Sequence, residues 1–418
     1  MSKETLQHTM RSKVRVFEDG GIRLLRKGQK GLIHAIFSRF GLVLVLLVLQ
    51  FGALFSLMRW FSNLLPHYLG GTLLVTAVMM VYLLNQDMNN SVRIPWLVVT
   101  ALAPVLGVLL FCYTKEDVEK FRTAVQKYLV PVADKICRRQ AERLGKSYPL
   151  SFADLALEFR SGNPCPVGTP DDILAQGMKF YGELSPETKE FFRTMLDGEL
   201  LDVLSTEGKQ GGGYCTSLDD YEVPFIFANF NGTQHDVEVV THEAGHAFAA
   251  YMNRKRIPYS TVWPSMEGCE VHSMSMEFLA WPWAEGFFGK DARKFRYSHL
   301  AGALTFIPYG TMVDHFQHIV YEKPDMTPAQ RHETWKELAA IYQPWMRLDG
   351  EIPFYGAGEY WQRQMHIYQS PFYYIDYCLA QTVALEIWAL LQKDRKEAWE
   401  RYMAYTRQGG SEVFTTLL

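Results

Sequence analysis

Val240-Thr241-His242-Glu243-Ala244-Gly245-His246 is the stretch on which the reading of this 418-residue chain turns. Two histidines stand four apart, with a glutamate directly after the first. On a helix, positions i and i+4 share one face, so both imidazoles reach a single metal ion. Glu243, one step round the helix, is placed to touch a water on that metal rather than the metal itself. This is the arrangement of metal-assisted hydrolysis. The flanking Val239, Val240, Ala244, Ala247, Phe248 and Ala250 are apolar and predict a core helix. The competing reading is a core helix with two satisfied histidines and no metal.

A catalytic zinc normally takes a third protein ligand and leaves its fourth position to water. Residues 265–284 offer Glu267, Glu270, Glu277 and His272. Glu270 and Glu277 are seven apart and share a helical face, as do Glu267 and Glu270, three apart. Spacing alone does not choose among them.

Composition narrows the classes. The formal net charge of −3 gives no sign of a nucleic-acid partner. The six cysteines are scattered without a CxxC pair, which reads as reduced thiols rather than a disulfide framework. Residues 1–40 are rich in Lys and Arg. Three apolar runs follow, Gly41 to Met58, about Tyr68 to Leu84, and Ile94 to Tyr113, each near the roughly 20 residues a helix needs to cross a bilayer. The expectation is a basic segment (1–40), three transmembrane helices (41–113) embedding the chain as a multi-pass protein of the bacterial cell membrane, and a separate domain from 114 to 418. The positive-inside rule favours a cytoplasmic N-terminus, whereas the free cysteines and the Lys- and Arg-rich residues 114–146 point the other way, so the side on which the later domain lies stays open. This region resembles the membrane-anchoring N-terminus of bacterial cardiolipin synthases, through Tyr82-Leu83-Leu84-Asn85, Ile94-Pro95-Trp96-Leu97 and Ala103-Pro104-Val105-Leu106-Gly107. None of the 12 histidines is followed two places later by lysine, so the His-x-Lys chemistry of those synthases is absent.

Past Thr114 the composition changes. Thr114 to Arg143 predicts one charged amphipathic helix with an apolar stripe at Val125, Leu129, Val132, Ala133 and Ile136, kinked or divided at Pro131. Residues 150–208 read as further helices, one opened by the Ser185 cap and Pro186. Gly211-Gly212-Gly213 is a loop that lets backbones approach closely, without the lysine of a P-loop. Val223 to Phe230 predicts a strand whose Pro224 suits an edge. Such an edge beside the zinc helix can pair with an extended peptide, which makes Phe227 and Asn229 candidate substrate contacts. Asn231-Gly232-Thr233 reads as a turn rather than a glycosylation site.

Residues 114–418 as a whole resemble the M3 family of zinc oligopeptidases, in its oligoendopeptidase F-like branch. The family's His-Glu-x-Gly-His and Glu-x-x-Ser-x-x-x-Glu correspond to His242-Glu243-Ala244-Gly245-His246 and Glu270-Val271-His272-Ser273-Met274-Ser275-Met276-Glu277. The resemblance implies a mostly helical zincin-type metallopeptidase domain, with a small sheet edge beside the zinc helix. It implies one zinc per chain on His242, His246 and Glu270, with Glu243 as general base and Glu277 supporting a ligating histidine. A second family block is Tyr360 to His366 and Pro371 to Tyr377. It implies His366 and Tyr377 as donors to the oxyanion and Tyr374 as a substrate contact. Short unfolded peptides are the implied substrates. Relative to the family, the region is expected to be short at both ends. Two other readings stand beside this one. The first is a membrane-anchored protein that binds peptide or zinc without turnover. The second is a lipid-synthesis relative, opposed by the missing His-x-Lys.

Overall fold

A computed structural model describes residues 14–16, 22–24, 115–257, 261–348, 352–411 and 414. Strands Val14–Val16 and Ile22–Leu24 pair antiparallel. The three membrane spans expected over 41–113, and the cardiolipin-synthase likeness within them, lie outside the described residues. Among the described residues one helix, Tyr374–Leu391, is long and apolar enough to cross a bilayer. It packs against both hydrophobic cores, so the described residues lend the spans no support.

The described chain is mostly helical. It begins with α1 (Lys115–Ala124), a π-helical turn over Val125–Leu129, and α2 (Val130–Leu144). Pro131 in the first turn of α2 cannot donate to the preceding ladder, and the wider turn sits directly before it. The turn also moves the apolar stripe. Val125, Val130, Ala133, Cys137, Ala141 and Leu144 are buried, while Val132 of the expected stripe is exposed. α3 (Pro170–Leu184) and α4 (Pro186–Asp197) each start from a capping box, Thr169 with Asp172 and Ser185 with Thr188, with proline at the first turn.

A three-stranded sheet follows: β1 (Leu201–Leu204), β2 (Tyr214–Leu218) and β3 (Val223–Phe230), in the order β1-β3-β2. β1 runs parallel and β2 antiparallel to β3. The strand expected at an edge is therefore the central one, and β2 is the edge. Pro224 is tolerated because β1 pairs with β3 only from Ile226 onward, leaving Pro224 opposite Ser217 of β2 alone.

The Asn231–Thr233 turn leads into α5 (Gln234–Asn253). Asp236 ties it by accepting from the Asn231 and Gly232 amides at 2.9 and 2.8 Å. α5 is buried nearly all round, which is why its sequence shows apolar residues on every face. α6 (Met266–Leu279) crosses it. The 31-residue α7 (Ala292–Glu322) carries Pro308 inside, and α8 (Pro328–Tyr342) folds back on it. α9 (Tyr374–Leu391) and α10 (Arg395–Gln408) close the chain.

The side chains form two cores. One gathers α3 to α6, the sheet, the first part of α7 and the later part of α9. The other gathers α1, α2, the later part of α7, α8 and the start of α9.

Candidate active site

Gly245 decides how α5 meets α6. A Cβ there would lie 2.7 Å from the His272 carbonyl oxygen and from Ser273 Cα, so only glycine lets the two backbones approach this closely. That approach brings three donors together. His242 Nε2 and His246 Nε2 each stand 3.3 Å from Glu270 Oε2. The three ligand atoms lie within 4.8 Å of one another, and no other described group of His, Cys, Asp or Glu converges in this way. His272, the competing ligand, points elsewhere: its ring lies 3.4 Å from Thr406 Oγ1 of α10. The side chain of Glu267 lies outside the described set.

Two of the three, His242 and Glu270, are held from behind. Glu277 Oε1 takes His242 Nδ1 at 2.6 Å, which leaves the Nε2 lone pair for a metal. Ser273 donates to Glu270 Oε2 at 3.1 Å and Tyr373 donates to Glu270 Oε1 at 2.7 Å. Burial alone would raise both glutamates. For Glu270, the imidazoles of His246 and His242 outweigh it and hold the carboxyl well below the usual range. For Glu277, hydrogen bonds from His242 and His299 do the same and hold it at about 2.

Glu243 is buried beside the glycine loop: a Cβ on Gly213 would lie 3.7 Å from its Oε1. The loop is fixed by Asn229, whose amide donates to the Gln210 and Gly212 carbonyls at 2.9 Å each. Asn229 therefore bears on the site through the loop. Phe227 stacks on Tyr214, with centroids 5.0 Å apart, and carries the Lys209 ammonium 4.5 Å from its ring. Both side chains sit on the face of β3 that alternates with the buried Ile226, Ala228 and Phe230. Both are partly exposed there, beside the loop that flanks Glu243.

The donor side comes from the 364–377 segment. His366 Nε2 lies 3.3 Å from the Tyr377 hydroxyl, and His366 Nδ1 lies 3.0 Å from Gln364 Nε2. Burial lowers the His366 pKa, and burial together with Glu270 raises the phenols of Tyr373 and Tyr377. At neutral pH all three are uncharged donors. Tyr374, expected at the substrate, is buried and packed edge-on to His366 at 5.1 Å and to Tyr309 at 6.1 Å. The tyrosine that reaches the His242–His246–Glu270 cluster is Tyr373, which the sequence did not single out. Its signal was present, four residues before Tyr377 across the first turn of α9. His299, on α7 behind Glu277, had no sequence signal.

The model for peptidase family M3 matches residues 187–418, more than half of the chain. This chain belongs to peptidase family M3. Two curated proteins resemble it. Oligopeptidase PepF of Bacillus subtilis (strain 168) is 25% identical over 58% of this chain and 36% of its own length. The oligoendopeptidase F homolog of Borreliella burgdorferi is 26% identical over 58% of this chain and 41% of its own. Among solved structures, PZ peptidase A with an inhibitor is 50% identical at a TM-score of 0.71, covering 73% of this chain and 54% of that one. The chain thus spans about half or less of the length of these relatives. The cardiolipin-synthase likeness of residues 82–107 lies outside the family match.

Proposed function

We propose that this M3 chain is a zinc-dependent metalloendopeptidase that cuts internal bonds of short, unfolded peptides. The observation that carries the reading is the convergence of His242, His246 and Glu270 beside the buried Glu243. Two imidazoles and a carboxylate suit zinc and leave a ligand position open. When bound, zinc supplies a Lewis acid for the scissile carbonyl and lowers the pKa of water.

The chain's own residues do the rest. Glu243 takes a proton from the attacking water and passes it to the leaving amine. The neutral His366, Tyr373 and Tyr377 donate to the oxygen on which charge develops. The outer edge of β2 has no ladder partner among the described residues. An extended peptide pairing there would run beside Gly213, next to Glu243. Binding of peptide or zinc without turnover is the second reading.

The test is cleavage of an internally quenched peptide by the full chain in detergent, with and without a zinc chelator. Cleavage should vanish with the chelator. Glu243→Gln should keep zinc and lose at least about a thousandfold in kcat, the size expected when proton transfer and water activation fail together. Cleavage that survives Glu243→Gln unchanged rules the mechanism out. Stoichiometric zinc without any cleavage favours the second reading.

A further inference from the structure

Glu277 receives two imidazoles, one on each oxygen. Oε1 takes His242 Nδ1 at 2.6 Å and Oε2 takes His299 Nε2 at 2.6 Å. His242 stands on α5, Glu277 on α6 and His299 on α7, so three helices meet on one carboxylate. Behind it, Trp281 Nε1 donates to His299 Nδ1 at 3.1 Å. An indole N–H only donates. The His299 ring therefore accepts at Nδ1 and carries its proton on Nε2, facing Glu277. The rings of Phe278 and Phe295 flank it, at centroid distances of 4.7 and 5.6 Å.

We propose that His299 is a positioning residue: held by Trp281, it locks the Glu277 carboxylate, which in turn fixes the tautomer and aim of the metal-facing His242. A carboxylate with one donor can rotate until either oxygen faces it. With Oε2 taken by His299, only Oε1 is left for His242 Nδ1–H. The His242 lone pair is then confined to Nε2, beside Glu270 and His246. This rests on the zinc reading above.

The bland alternative is that His299 fills space between α6 and α7. Leucine and glutamine separate the two. Leucine fills the space without a donor. Glutamine donates from its amide to Glu277 and accepts from Trp281 through its carbonyl. His299→Leu should raise the zinc dissociation constant about tenfold, at the low end for partners behind a metal ligand, and lower kcat more than it changes KM. His299→Gln should recover most of that loss. A folded leucine variant that binds zinc as tightly as the wild type overturns the proposal.

If the leucine variant does not fold, the metal-free wild-type chain carries the test. Nitrogen NMR with labelled histidine should find His242 protonated on Nδ1 and His299 on Nε2. Trp281→Phe should disturb the His299 assignment while the helices stay folded. Any other tautomer pair in the wild type overturns the proposal. The stated tautomers in a chain that binds no zinc would fail the zinc reading and leave the positioning intact.

Discussion

Tyr373 shows how one hydroxyl can join the metal side of the site to the donor side. It donates at 2.7 Å to Glu270 Oε1, the oxygen that does not face the imidazoles. Hydrogen bonds to charged groups contribute about 1.5–3 kcal/mol. Tyr373→Phe should therefore weaken zinc binding about tenfold or more and lower kcat/KM with it, read by metal competition and steady-state kinetics. Tyr374→Phe should leave KM unchanged, because that ring packs on His366 and Tyr309 instead of lining the open site. A severalfold rise in KM would show Tyr374 to be a substrate contact. The sequence pattern identified a cluster of phenols but not which one turns inward. Along α9 adjacent residues point about 100° apart, and only the seating of that helix against α6 and α7 settles which faces Glu270.

At the scale of elements, the local signals were the legible ones. The His-Glu-x-x-His helix, the Ser185 cap with Pro186 and the turn at Asn231–Gly232 depend on neighbours in sequence, and each was readable there. What escaped depended on partners far along the chain. Leu201–Leu204 lies in a stretch that read as helical and became a strand by pairing with β3, which made β3 central. The π turn before Pro131 slipped the apolar stripe of the first long helix by one position.

The α5–α6 crossing lies between these cases: glycine is visible in the motif, but its reason is not. With a Cβ only 2.7 Å from the α6 backbone, Gly245→Ala must push the two helices apart. Overpacking of this kind costs about 1–3 kcal/mol, and here it also moves Glu270 away from the histidines. A lower thermal midpoint together with weaker zinc binding is the expected pair of results. A destabilised variant with unchanged zinc affinity would show that ligand placement does not depend on the crossing.

Over the whole molecule, the site straddles two cores. His242, His246 and Glu270 belong to elements of the first. The donor segment is hung from α7 in the second: Tyr309 donates to Gln364 Oε1 at 2.9 Å, Tyr321 to the Ile367 carbonyl at 2.7 Å, and Phe372 N–H to Gln317 Oε1 at 2.8 Å. α7 passes from one core to the other near Pro308. The second core carries its own electrostatics. Burial, aided by Arg122, lowers the His315 pKa to about 4. The unfolded chain, with histidine near 6.5, then binds that proton more readily, so stability should fall as pH drops from about 6.5 to 4. Denaturant titrations across that window should show a shallower fall for His315→Gln.

The same core supplies the sharpest separation of roles. Arg122 of α1 donates to Asp314 Oδ2 of α7 at 2.6 and 3.0 Å, and both side chains are nearly inaccessible. Removing one partner of a buried pair leaves an uncompensated charge, at a cost of about 3–5 kcal/mol. Arg122→Leu should loosen α1 from α7 and with it the support of His366 and Tyr373. The expected signature is a fall in kcat and thermal midpoint with zinc affinity retained, and recovery of stability when Asp314 is also made leucine. Loss of zinc affinity in step with kcat would mean that the two cores are not separable, and that ligands and donors are positioned by one cooperative unit.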